Sequence, residues 1–341
     1  MPATAKPSGT VRRACSIGLT AVHWDCTPRK DLFCRAGETL MARALVFAHY
    51  DRDGLFDPYV IDALHAFRRC MDHVTVVSTS AQHLPAALLP LVDRFIARQN
   101  VGYDFCSWRV GLAALEPTEQ FDEIICANDS VYGPLFDLAA TLSDARVADA
   151  DLWGMCLSEQ GTKRRGKISC PHIQSWFFGM RRPLIASQAF GDFWRSVVPL
   201  EHKDDLIDRY ELGMTEHFAA AGFRVAALYD ARTAEPLSLR EMWPHFSLRE
   251  PGRLLRLLKK SRRPRHNPSE LAYKRLLDAG VPFVKVSLFR LNHYGLNLEH
   301  VMESLQRENH YDIHLIRDHL DRTGTMKTHS SILTVAKTER S

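Results

Sequence analysis

Residues 43–78 read RALVFAHYDRDGLFDPYVIDALHAFRRCMDHVTVVS, and the fold is decided in this stretch. Ala44 to Ala48 is an unbroken apolar run of strand length, extended to Arg43 and Tyr50, and Val74 to Ser78 is a second one. Between them Asp57 and Pro58 give a helix-start signal, a capping residue followed by proline in the first turn. Val60, Leu64, Phe67 and Met71 then recur at spacings of four, three and four, which places them on one helical face. Strand, one-sided helix and strand make a β-α-β unit.

Outward from this unit the same alternation continues. Strands are expected at Arg94 to Ala97, Glu123 to Ala127, Leu152 to Leu157, Ser175 to Met180 and Phe223 to Tyr229. Helices are expected at Phe105 to Leu115, Leu135 to Leu142, Pro183 to Val197 and Lys203 to Ala221. Such a chain is an α/β fold with a mixed, mostly parallel sheet flanked by helices. Residues 41–235 form the expected α/β domain and 236–320 a mainly helical C-terminal appendage. Residues 1–40, which lack sustained periodicity, are expected to be a disordered leader upstream of a natural start at Met41, and 321–341 a disordered tail.

The 341 residues are 45% hydrophobic and 25% charged, a globular composition that excludes disorder and collagen. The net charge of +4 is too small for a general polyanion binder. The seven basic residues between Arg253 and Arg265 have no acid among them, so the rest of the chain is net acidic. Within that segment leucines alternate with cations, a pattern suited to an amphipathic helix on an anionic inner-leaflet surface as well as to a plain solvated helix. It lacks the interleaved aromatics of a nucleic-acid site, and no nucleic acid is expected. The eight cysteines contain no Cys-x-x-Cys pair and fit a reducing cytosol. Val74 to Val92, the longest stretch without charge, is too polar and proline-broken to cross a bilayer, which leaves a cytoplasmic or peripheral protein.

In open α/β sheets ligands sit at the carboxyl ends of strands. Three such loops are unusually polar: His49 to Gly54, Asn100 to Asp104 and Asn128 to Pro134. Any one alone is ordinary turn and capping chemistry, but three at equivalent sheet ends point to a shared ligand. Glu211 is the other anomaly. Ile207, Tyr210, Met214 and Phe218 form one apolar stripe and Glu211 falls inside it, whereas Asp205, Arg209 and Glu216 lie opposite. An inward carboxylate needs either a core partner or a chemical role.

The strings around His49 to Asp51, Asn100-Val101-Gly102-Tyr103-Asp104 with Ser107-Trp108, Asn128 to Pro134, His172 to Ser175, Tyr210 to Thr215 and Pro282 to Lys285 resemble the rhamnan synthesis protein F family, in order, over roughly 42–290. The resemblance implies a GT-A-like, Rossmann-type fold and a bacterial glycosyltransferase of cell-surface polysaccharide assembly. The implied donor is a nucleoside-diphosphate deoxysugar, typically dTDP-L-rhamnose, and the implied acceptor a lipid-linked saccharide. His49, Asp51, Asn100, Gly102, Tyr103, Asp104, Asn128, Asp129, Ser130, Tyr132 and Lys285 would then bind the donor. His172, Gln174 and Ser175 would line the acceptor side, and Glu211 would be the general base of an inverting transfer. Asp129 would hold Mg²⁺ or Mn²⁺ at the diphosphate, although Asn128-Asp129-Ser130 offers one carboxylate where many GT-A enzymes have Asp-x-Asp, and Lys285 could serve instead. Two other readings stay open: a phosphatase of the haloacid dehalogenase kind using Asp51 as nucleophile and Asp53 as acid, and a non-catalytic membrane-surface adaptor.

Overall fold

In the computed structural model, residues 41–162, 169–246, 255, 257 and 266–324 are described. The expected leader, most of the basic segment 253–265 and the chain beyond 324 lie outside them. Ten strands are described: β1 (Arg43–His49), β2 (His73–Ser78), β3 (Arg94–Ala97), β4 (Glu123–Asn128), β5 (Val131–Tyr132), β6 (Leu152–Ser158), β7 (His172–Ile173), β8 (Phe177–Arg181), β9 (Val225–Asp230) and β10 (Val284–Lys285). The main helices are α1 (Pro58–Arg68), α2 (Tyr103–Ala114), α3 (Gln188–Ser196), α4 (Gly213–Ala220), α5 (Leu298–Asn309) and α6 (His314–Thr323).

The main sheet runs β3-β2-β1-β4-β8-β6, with β7 and β9 also paired to β6. β1, β2, β3 and β4 are mutually parallel, as the β-α-β reading requires. β8 is antiparallel to both β4 and β6, while β9 is parallel to β6. The sheet is therefore mixed. An apolar run carries no sign of its direction, so this reversal could not be read from Phe177 to Met180. It has a functional consequence: the start of β8, not its end, lies at the sheet edge where β1 and β4 finish.

Each face of the sheet carries its own core. On one side Leu45, Phe47, Val74 and Val76 pack with Val60, Leu64, Phe67 and Met71, the four residues of the predicted stripe. Val301, Leu305, Ile316 and Leu320 of α5 and α6 belong to that same core, so the helices after 268 are built onto the sheet. On the other side Trp108 and Leu112 of α2, Phe193 and Trp194 of α3, and Met214 and Phe218 of α4 cover Val46, Ile124, Cys126 and Phe178. No helix among the described residues is long and apolar enough to cross a membrane.

Register aligns the strand tips. Ala48 is paired with Asn128 and His49 with Ser78, so the loops after β1, β2 and β4 emerge side by side. β10 pairs antiparallel with β5, setting Lys285 opposite Val131. Gly133 is needed at the turn after β5: its φ is +126°, and a Cβ there would lie 2.4 Å from the carbonyl oxygen of Pro282.

Candidate functional site

The loops after β1, β3 and β4 open into one cavity of about 930 Å³. Of the residues singled out from the sequence, His49, Asp51, Tyr103, Asp104, Asn128, Asp129, Ser130, His172, Gln174, Ser175, Glu211 and Lys285 line it. Asn100, Gly102 and Tyr132 do not. Gly102, at φ +74°, sits where a Cβ would collide with Cys106 Sγ at 2.4 Å and Pro199 Cα at 2.9 Å, so its lack of a side chain serves the packing of the α2 start. Tyr132 is fully buried below the cavity, where its hydroxyl hydrogen-bonds His319 Nδ1 at 2.7 Å.

The loops are tied to one another by their own polar groups. Asn128 donates from Nδ2 to Asp104 Oδ2 at 2.9 Å, and its Oδ1 accepts from the Ser130 hydroxyl at 2.6 Å and the Ser130 N–H at 3.1 Å. It links the second loop to the third. Asp129 Oδ2 accepts the backbone N–H of Tyr50 at 2.6 Å, and its carbonyl accepts the Tyr59 hydroxyl at 2.8 Å. These bonds join the third loop to the first. His49 is buried, stacked on Phe56 with ring centroids 3.9 Å apart, and both ring nitrogens have protein partners, Ser78 Oγ and the Leu55 carbonyl. Burial lowers its pKa to about 4, against the Leu55 bond and the charges of Asp51 and Asp57, so it is a neutral wall of the cavity.

Charge in the cavity is unevenly balanced. Burial raises the pKa of Asp104, with the Asn128 hydrogen bond opposing in part. Burial raises Asp129 well above the usual carboxylate range, and although the Tyr50 N–H opposes this, the nearby Asp104 adds to it. Asp51 behaves oppositely: burial would raise it, but hydrogen bonds from Arg322 and from the N–H groups of Leu55 and Asp53 outweigh that and lower it. Lys285 is lowered by burial, with Glu211 and Glu270 pulling the other way, and its ammonium lies 5.8 Å from the Trp176 ring centroid.

Glu211 lies in a widened helical turn, Ile207–Leu212, between Lys203–Leu206 and α4. Such i→i+5 turns put one extra residue into the helix and swing side chains off the regular stripe. Tyr210, Met214 and Phe218 are fully buried as expected, while Glu211 reaches the cavity. Its Oε1 accepts the Ser175 N–H at 2.9 Å and the Ser175 hydroxyl at 3.0 Å. Because β8 is antiparallel, Ser175 just before it stands at this edge. Gln174 bridges to the C-terminal part, donating to Asn267 Oδ1 at 2.9 Å and accepting from Trp176 Nε1 at 3.0 Å. His172 is buried with Nδ1 on the Cys170 carbonyl.

Several lining residues were not anticipated: Lys203, Asn267, Glu270, Arg290, His293 and His319. Glu270 is buried and accepts from the Ser287 hydroxyl at 2.6 Å, with His293 Nδ1 3.1 Å from its other oxygen. Asp57 occupies the expected capping position of α1, but no helix N–H bonds to its side chain. Arg322 takes it instead, together with Asp51 and Asp53. Of these residues only His319 belonged to a readable pattern, with Ile316, Leu320 and Thr323 buried on the same face of α6.

Among the described residues no group of three His, Cys, Asp or Glu side chains is arranged to hold a metal ion. A Mg²⁺-type ion needs only one or two protein carboxylates when a substrate diphosphate completes its shell. Asp104 and Asp129, neither of which is in an ion pair among the described residues, suit that arrangement. A second, more apolar cavity of about 640 Å³ lies between β3, α2 and α3 and contains none of the three loops.

A family model described as rhamnan synthesis protein F matches residues 74–259. The chain is 25% identical over 265 residues to the virulence protein VirA of Vibrio anguillarum, covering 74% of this chain and 81% of that one. Among solved structures, HddC from Yersinia pseudotuberculosis aligns with 56% of this chain and 91% of its own at 12% identity and a TM-score of 0.34. A nucleotide-diphospho-sugar transferase from Desulfovibrio desulfuricans G20, so described as putative, aligns with 56% of this chain and 81% of its own at 11% identity and a TM-score of 0.36. Both are partial likenesses of fold.

Proposed function

The chain belongs to the rhamnan synthesis protein F family, and from that premise we propose that it is a GT-A-like glycosyltransferase. It would move a deoxysugar, L-rhamnose being the family-implied case, from a nucleoside diphosphate to a growing cell-surface polysaccharide. The observation that carries this reading is the convergence of the loops after β1, β3 and β4 on one cavity that Glu211 also lines.

Asp104, Asp129 and Ser130 would form the donor side together with Lys285, which is paired with Val131 and whose charge is felt at Asp104. The ammonium of Lys285 would meet the diphosphate directly. Asp129, with Asp104, would hold Mg²⁺ or Mn²⁺ together with that diphosphate, and the ion would supply neutralisation of the leaving group's charge. Tyr103, with its ring exposed at the rim, would stack on the nucleoside.

On the acceptor side, the two Ser175 bonds fix Glu211 through Oε1. Its other oxygen would take the proton of the acceptor hydroxyl as that oxygen bonds to the anomeric carbon and the carbon–diphosphate bond breaks. This is a single displacement with inversion. General-base assistance of this kind contributes about 10²–10⁴-fold in rate. His172 and Gln174 would shape the acceptor end. The acceptor's lipid anchor would lie at the inner face of the cytoplasmic membrane, where segment 253–265 would meet anionic headgroups.

The phosphatase reading requires a free Asp51 nucleophile. Both oxygens of Asp51 are held by the Arg322 guanidinium, which weighs against it. Thermal shift against a panel of nucleoside diphosphates and their sugars, with and without Mg²⁺ or Mn²⁺, tests the proposal. Selective stabilisation by one nucleoside diphosphate is expected. No stabilisation by any member of the panel would refute the donor assignment.

A further inference from the structure

We propose that Arg322, in the last turn of α6, is a positioning residue that holds the first loop against Asp129 and so makes the C-terminal helix part of the donor site. The proposal rests on the reading of Asp129 as a donor-side carboxylate. Arg322 lies outside the residues matched by the family model.

One guanidinium serves three carboxylates of a single loop. Arg322 Nη1 donates to Asp53 Oδ2 at 2.6 Å and Asp51 Oδ1 at 3.2 Å, Nε donates to Asp57 Oδ1 at 3.0 Å, and Nη2 bonds both Asp51 and Asp57. Asp51 and Asp57 are buried. The clamp is reciprocal, since Arg52 of the same loop donates to the Thr323 carbonyl at 3.1 Å and to that of Arg322, the C-terminal end of the helix where cations are favoured. The helix is also seated by Ile316 and Leu320 in the core and by His319, whose ring lies 4.8 Å from that of Tyr59 at a tilt of 39°, hydrogen-bonds Tyr132 and approaches Asp57 at 3.7 Å.

The loop so held is the one whose Tyr50 N–H is bonded to Asp129 Oδ2. Without the guanidinium, Asp53 would keep Arg52 Nε at 3.1 Å and Asp57 would keep only His319 Nε2 at 3.7 Å, while the buried Asp51 would lose its cation, and repulsion between the desolvated Asp51 and Asp57 would loosen the loop. Tyr50 would then leave Asp129, and the donor wall would lose its shape although no donor-facing residue had changed. A Lys at 322 would keep the charge but not the planar fork that reaches three partners at once.

The test compares full-length wild type, Arg322→Ala and Arg322→Lys by hydrogen–deuterium exchange and by calorimetric titration with the nucleoside diphosphate that most stabilises wild type. Exchange should accelerate in peptides covering 49–57 while those covering 123–127 stay unchanged. Nucleotide affinity should fall about tenfold in Arg322→Ala, an ordinary size for coupling between sites, and less in Arg322→Lys. Unchanged exchange at 49–57 in a folded Arg322→Ala protein, or equal acceleration at 123–127, would overturn the proposal. Should Arg322→Ala not fold, Asp53→Asn, which removes only the exposed arm of the clamp, must still accelerate 49–57, and no change there would be equally fatal. If wild type binds no nucleoside diphosphate, the functional reading fails, yet the exchange comparison still decides whether Arg322 positions the loop.

Discussion

The two ends of β4 hold buried carboxylates in opposite circumstances. At its start Glu123, with no exposed surface, has Arg43 Nε at 2.8 Å, Arg181 Nε at 3.1 Å and a hydrogen bond from Trp153 Nε1 at 2.7 Å. Just past its end Asp129 has a backbone N–H and, among the described residues, no arginine, and its charged neighbours include Asp104 and Asp51. The first carboxylate is fully compensated by its own protein. The second is left wanting a cation or a proton, and this difference marks which end of the sheet is built for a ligand.

Four results would break or sharpen that contrast. The largest effect is expected at the carboxylate held by Ser175: Glu211→Gln should lower transfer by about 10²–10⁴-fold with donor affinity kept, measured as turnover beside calorimetric Kd. Full activity in that variant would remove the proposed mechanism. Next, Glu123→Ala should cost about 1–3 kcal/mol in denaturant unfolding, because the buried Trp153 N–H and the half-buried Arg43 and Arg181 lose their partner. Nucleotide affinity of the folded fraction should be unchanged, and a selective loss of affinity would contradict the division between the two ends.

Asp129→Asn should do the reverse, weakening nucleotide binding about tenfold through a lost charge-assisted contact while leaving unfolding stability equal or slightly higher. A stability loss comparable to that of Glu123→Ala would show the two ends to be alike. The smallest effect is on pH. Asp104 and Asp129 have folded-state values above the ordinary 3.8, so the stability they contribute is complete below that pH and declines as pH rises through their raised values. Asp51, lowered in the fold, contributes stability that is present above 3.8 and is lost as pH falls through its lowered value. Ligand-free melting curves should show a falling limb above pH 4 that flattens in Asp129→Asn, and an unflattened limb would assign it to other groups.

Much of this architecture was legible because it is local. The stripe from Val60 to Met71 and the strands beside it are periodic over short windows, and all four stripe residues are buried as read. The loops could be picked out because parallel strands finish at a common edge, and register then sets Ala48 beside Asn128. Three things could not be read. The reversed direction of β8 leaves no mark in an apolar run, yet it is what brings Ser175 to Glu211. The widened turn at Ile207–Leu212 adds a residue that a fixed 100° projection does not contain. Arg322 meets Asp51 across 271 residues of chain, a distance at which periodicity says nothing, and it lies in the stretch 321–341 expected to be a tail, whereas the helix runs on to Thr323.

Convergence itself is tested most directly by a hydrogen-exchange footprint of the bound nucleoside diphosphate. Slowed exchange is expected together at 49–57, 103–105, 128–131 and 285–287, segments scattered along the chain but gathered round one cavity. Protection confined to a single one of these segments, or found instead around Trp194 in the apolar cavity, would contradict the account.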